Sequence, residues 1–137
     1  MKRLTLSRQK RLRGNRQFKA VIAGGVRVSD DLLSVCVAEN NFRYCRLGVS
    51  VGKSCGKAVF RNRLKRVLRE AFRQNQDRIP GGFDYVIMIS PFAVRELRER
   101  RDSDFVKKLN FHVVSESLLK LLDKAMVKRG IEQGKSI

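Results

Sequence analysis

Residues 60–73 read FRNRLKRVLREAFR. Six of these fourteen positions are Arg or Lys, and one, Glu70, is acidic. Side chains of this kind could contact phosphate, because a guanidinium presents paired N–H donors that match phosphate oxygens and can also stack on bases. No hydrolytic machinery accompanies them. A protein nuclease needs clustered carboxylates for two metal ions, or a histidine acid–base pair. The acids are scattered, the tight pair Asp30-Asp31 falls in a turn, and the sole histidine, His112, stands in an apolar helical stretch where a structural role is expected. Cys36, Cys45 and Cys55 are nine and ten residues apart. That spacing does not make a zinc motif, and it reads as buried or free thiols in a reducing compartment. The expectation is no catalytic side chain and no metal ligand.

A helix must position these cations. With Phe60 at 0° and ~100° per residue, Val67, Phe60, Ala71, Leu64, Leu68 and Phe72 form one apolar stripe. Lys65, Arg69, Asn62, Arg73 and Arg66 form the opposite face, with Glu70 and Arg63 beyond them and Arg61 on the flank of the stripe. A solvated helix face usually mixes signs, since oppositely charged i, i+4 pairs stabilise it. Like-charged pairs such as Lys65–Arg69 and Arg69–Arg73 cost a few tenths of a kcal/mol each. A sequence that accepts this cost uses the face, and phosphate is the ligand it fits.

The wider charge pattern agrees. The chain has 137 residues, 42% hydrophobic, enough for one domain with a core. With 31 Lys+Arg against 13 Asp+Glu its formal net charge is +18. Residues 1–20 contribute +8 and residues 53–73 contribute +7, so the excess is local. Localised charge of this size points to a polyanionic partner. No apolar run approaches the ~20 residues of a membrane span. The basic start MKRLTLSRQKRLRGNR has no apolar stretch behind it and is not read as a secretory signal. A cytoplasmic protein without membrane contact is expected. A DNA regulator would require a helix-turn-helix pair or a dimer seam; the helices here are separated by strands, so DNA is not the expected partner.

The remaining elements follow from periodicity. NRQFKAVIAGG is predicted as a short helix, with Phe18, Val21 and Ile22 at i, i+3, i+4 and Gly24-Gly25 at its end. Strands are predicted at 26–29, 32–38 and 46–52. In the second, Leu33, Val35 and Val37 share a face. In the third, Leu47, Val49 and Val51 share one, leaving Arg46, Gly48 and Ser50 on the other. FDYVIMIS (83–90) is apolar on both faces and reads as a central strand. Residues 95–104, with a net charge of zero, read as a solvated helical turn or linker, and residues 110–126 as a closing amphipathic helix. The order is α-β-β-β-α-β-α in an α/β (α+β) sandwich. The expected organisation is a basic tail at 1–12, one domain at 13–127 that binds a polyanion, and a flexible tail at 128–137.

The stretch LGVSVGKSCGKAVFRNRLKRVLREAFR resembles the signature of the protein subunit of bacterial ribonuclease P. A strand (Leu47–Val51) leads to a Lys- and Gly-bearing turn (Lys53–Lys57). A helix then opens on Arg61-Asn62-Arg63 and continues through Lys65, Arg66 and Arg69. The helix entry RLRGNRQF, with Arg13, and the strand DYVIMIS match as well, so the resemblance spans about residues 8–92. It implies a ribosomal-protein-like α/β sandwich with a left-handed βαβ crossover. Parallel crossovers are right-handed in ~98% of cases, so periodicity alone predicts the other hand.

The resemblance also implies a role. The protein would bind a catalytic RNA subunit, one protein per RNA, through Lys53, Lys57, Arg61, Asn62, Arg63, Lys65, Arg66, Arg69, Arg73 and Arg13. It would promote Mg²⁺-dependent removal of the 5′ leader from precursor tRNA, with the ion held mainly by RNA phosphates. The alternative is a ribosomal or general structural RNA-binding protein without catalytic association. The family's leader surface lies between the sheet and the first helix. Phe18 matches its aromatic there, and Lys53 adjoins it. Ile22 and Val35 stand where some members carry further aromatics. Spacing alone places Phe18 with Val21 and Ile22 in the core.

Overall fold

The computed structural model describes residues 10–100 and 103–134. Helix α1 (Gly14–Gly24) leads into strands β1 (Val26–Ser29), β2 (Leu33–Glu39) and β3 (Arg46–Ser50). A single 3₁₀ turn at Lys53–Cys55 precedes α2 (Ala58–Gln74). Strand β4 (Phe83–Ile89), two short helices, α3 (Pro91–Arg95) and α4 (Ser103–Lys107), and the long α5 (Phe111–Gly134) complete the chain. The sheet order is β1-β2-β4-β3. Strand β4 lies antiparallel to β2 and parallel to β3, with α2 as the crossover between the parallel pair.

Strand alternation sorts the sheet into two faces. Leu33, Val35 and Val37 of β2 stand opposite Ile89, Ile87 and Tyr85 of β4, and Leu47 stands opposite Tyr85 from the other side. These residues join Leu64, Leu68, Ala71 and Phe72 of α2 and Leu118, Leu121 and Leu122 of α5 in the main core. The reverse face carries Cys36 and Val86, which pack with Leu12 and Val21 in a second, smaller cluster that Phe18 joins. Strand β4 is therefore covered on both sides, which is why its sequence shows no polar alternation.

Both edge strands are contacted by other parts of the chain, which blunts edges that would otherwise offer unpaired backbone groups. Beside β3, Arg11 forms a parallel bridge with Leu47, and the Leu12 N–H donates to the Leu47 carbonyl at 2.8 Å. The basic tail thus joins the fold by residue 10; residues 1–9 lie outside the described residues. At the β1 edge, Lys128 Nζ donates to the Arg27 carbonyl at 3.1 Å. Arg129 pairs with Glu39 at 3.1 Å and lies 4.7 Å from the centroid of the Phe83 ring. These contacts fall in the stretch read from the sequence as a tail, and α5 continues through it to Gly134.

Segment 95–104, read as a solvated helical turn or linker, is a helical turn that is fastened to the core rather than fully solvated. Residues Glu96–Arg100 form a π turn, and Leu97 is buried in the main core, as is Phe105 of α4. Ser90 starts this region by capping α3, accepting from the Ala93 N–H at 3.1 Å while donating to the Asp31 carbonyl at 3.0 Å. The net-zero charge is real, but one apolar side chain per turn suffices to fasten the segment. Residues 101–102 lie outside the described residues. His112, expected to be structural, is exposed at the start of α5, beside Phe111.

Where α1 ends, the chain passes so close to β2 that a Cβ on Gly25 would stand 2.5 Å from the Val37 carbonyl oxygen and 2.6 Å from that of Val21. Backbone atoms cannot yield as a side chain can. Gly25→Ala should lower stability by roughly 1–3 kcal/mol, the range for an overpacked site. Gly24→Ala, whose Cβ would meet nothing within 4 Å, should be neutral or stabilising. Denaturant midpoints of both variants check this; equal midpoints would show that the close approach constrains nothing.

Candidate nucleic-acid interface

Burial of Leu64, Leu68, Ala71 and Phe72 fixes the rotation of α2 and turns Asn62, Arg63, Arg66 and Arg69 to solvent, with Lys65 half-buried between the two faces. The segment paired with the edge of β3 runs alongside. Arg11, Asn62, Arg66, Arg69, Glu70 and Arg73 line one open concavity of about 410 Å³. Arg11 is a residue that sequence reasoning missed. Its signal was weak, because a basic residue in a basic tail gains meaning only once the tail pairs with β3.

The predicted cations do not all serve alike. Arg66 and Arg69 line the concavity, while Arg63 is exposed on the flank of the helix outside it. Arg61 bends back, and its Nε donates to the Gly56 carbonyl at 3.1 Å, so it braces the turn that enters α2. Arg73 is engaged by Glu70, with Nε donating to Oε2 at 3.0 Å and Nη2 bonding to Oε1. Lys53 and Lys57 are exposed on the approach to α2, and Arg13 is exposed at the N-cap of α1. Arg13 thus stands on a different element from the α2 cations.

Of the residues expected beside a leader, Phe18 is half-buried on the second cluster and Ile22 is 40% exposed on α1. Val35 is excluded. It is fully buried in the main core, paired between Val28 and Ile87 on the face that α2 and α5 cover. Its neighbour Cys36 is the residue that faces α1. The alternation of Leu33, Val35 and Val37 already carried this signal. At the Asp84 end of the α1 face, Arg46 holds buried Asp84 through Nε–Oδ1 and Nη2–Oδ2 bonds of 2.7 and 2.6 Å, and Asn40 donates to Oδ1 at 2.8 Å. Asp84 is thus satisfied by the protein itself.

Electrostatics single out Glu70. Its carboxyl is lowered from an ordinary 4.5 to about 2, first by hydrogen bonding from Arg73 and then by Gln74. Burial pushes the thiols of Cys36, Cys45 and Cys55 up, which keeps them protonated and poorly nucleophilic. Among the described residues, no group of three or more His, Cys, Asp or Glu is arranged to hold a metal ion. No helix among them is long and apolar enough to cross a membrane.

A mixed α/β sandwich that displays a basic helix and a cation-lined concavity defines a nucleic-acid-binding protein. Comparison makes the class specific: residues 6–126 match the family described as Ribonuclease P, and the chain belongs to that family. The ribonuclease P protein component of Thermotoga maritima is 35% identical over 118 residues, covering 86% of this chain and 93% of the relative. The solved ribonuclease P protein of that organism superposes with a TM-score of 0.67 at 38% identity, covering 83% of this chain and 96% of that one. A Staphylococcus aureus ribonuclease P protein gives the same TM-score at 26% identity, covering 85% and 94%. Membership brings a partner RNA subunit and a role in tRNA 5′ processing, in place of the general RNA-structural alternative.

Because the folded-state value of Glu70 lies below its unfolded one, its contribution to stability is present above pH 4.5 and is lost as pH falls through about 2. Glu70→Gln should flatten the acid limb of the stability profile in that window, because the variant lacks the contribution that Glu70 makes at neutral pH and matches the parent only near pH 2. With the negative charge at position 70 removed, the slope of log K against log salt for RNA binding should steepen by roughly one unit. An unchanged slope would mean that Arg73 already contacts phosphate despite Glu70.

Proposed function

We propose that the concavity beside α2 docks on the RNA subunit, and that the α1 side of the sheet receives the 5′ leader of precursor tRNA. The observation that carries this reading is the convergence of Arg11, Asn62, Arg66 and Arg69, from two separate chain segments, on one open surface. Arginines at that spacing can take phosphate oxygens in pairs, and Asn62 can meet a ribose or base edge. Lys53 and Lys57, at the approach to α2, would hold leader and RNA phosphates and reduce the repulsion between the two strands. Half-buried Phe18 offers a ring for stacking on a base, a sequence-tolerant contact suited to many different leaders.

On this reading the chemistry of cleavage belongs to the RNA subunit. The family implies Mg²⁺, and the described acids and histidine do not converge into a set that would hold it. The ion is therefore assigned to RNA phosphates, and the protein side chains bind, orient and screen. One protein per RNA, acting in the cytoplasm, completes the proposal.

Two experiments test it. Protein free of RNA should leave precursor tRNA intact, and addition of the RNA subunit should yield a single cut at the mature 5′ end. Robust cleavage by the protein alone would sink the assignment of chemistry. Arg66→Ala with Arg69→Ala should weaken RNA-subunit binding and lower the salt slope by roughly one to two units. Unchanged affinity and slope with an intact fold would return this face to ordinary solvated surface.

A further inference from the structure

We infer that Gly48 is the positioning residue for Phe18: it is the seat that sets where the ring stands and which part of it is offered to the leader. Gly48 lies buried in the middle of β3, opposite Val86, on the α1 side of the sheet. A Cβ at this position would stand 2.6 Å from Cζ and 2.9 Å from Cε1 of Phe18, and 3.1 Å from Cδ1 of Leu12. The first two separations are shorter than real carbon contacts. The edge of the ring thus occupies the space that any side chain at 48 would need. The ring descends from α1 onto bare backbone, with Leu12 beside its tip, and the rest stays partly exposed.

The obstacle at Gly48 differs in kind from the one at Gly25. At Gly25 a Cβ meets carbonyl oxygens held by the sheet and the helix. At Gly48 it meets the far end of a side chain with two free torsions. Added bulk is therefore relieved by swinging Phe18 outward, and the fold is kept. Stacking depends on the plane and depth of the ring, so this displacement separates a binding effect from a folding effect. The functional half of the inference rests on the reading of Phe18 as a leader contact.

The test uses the holoenzyme assembled with its RNA subunit, and precursor and mature tRNA as paired ligands. Gly48→Ala should weaken precursor affinity on the order of tenfold, part of the range for one lost base stack. Mature tRNA affinity should stay unchanged, and the thermal melt should stay near that of the parent. In protein labelled at phenylalanine, the Phe18 ring resonances should move. Should Gly48→Ala melt early, adding Phe18→Leu, which removes the clashing ring atoms, should restore the melt while precursor affinity stays low. Unmoved Phe18 resonances, or a melt that Phe18→Leu does not restore, would overturn the seat. Phe18→Ala with an unchanged ratio of precursor to mature affinity would instead overturn the leader reading, and the functional role of Gly48 with it.

Discussion

Burial of one stripe of α2 against the sheet is the constraint on which the binding surface depends. Leu64, Leu68 and Phe72 are almost fully removed from water. Each such side chain contributes about 1.5–3 kcal/mol by burial. The like-charged neighbours on the opposite face cost a few tenths of a kcal/mol per pair. The apolar term wins by several-fold, so the helix holds its rotation and can display Arg66 and Arg69 without losing its place. A cationic helix without such a stripe would have no fixed rotation against the sheet.

The same economy explains the single acid on this surface. Glu70 binds Arg73 through both of its oxygens and Gln74 through one. That pairing stiffens the last turns of α2 and leaves Arg11, Arg66 and Arg69 as the cations of the concavity that Glu70 does not engage. Arg61 serves the opposite end of the helix in a similar way, bracing the Gly56 turn. Cations in one motif thus divide between holding the helix and presenting it.

The sheet separates two tasks by its two faces. The broad face carries the main core with α2 and α5, while the reverse face carries the small cluster under α1. The segment that pairs with the edge of β3 joins them, because neighbouring residues of an extended chain point to opposite sides. Arg11 reaches the concavity beside α2, and Leu12 is buried under α1 beside Phe18. The two surfaces proposed to meet RNA therefore share one short piece of backbone, hydrogen-bonded to Leu47.

Much of this was legible in the sequence. The stripe and cationic face of α2, the two-sided apolar character of β4, and the alternation of β2 and β3 follow from local periodicity, because each depends only on the geometry of one element. The same alternation already set Val35 in the core, against its assignment to the leader surface by resemblance. Other features required the tertiary structure. The role of Arg11 depends on a pairing between residue 11 and residue 47. The continuation of α5 past residue 127 depends on Arg129 meeting Glu39 and Phe83. The anchoring of segment 95–104 depends on Leu97 finding the core. Periodicity describes which way a residue points within its own helix or strand. What stands in front of it, as Phe18 stands over Gly48, is decided by segments distant in sequence, and only their packing brings them into contact.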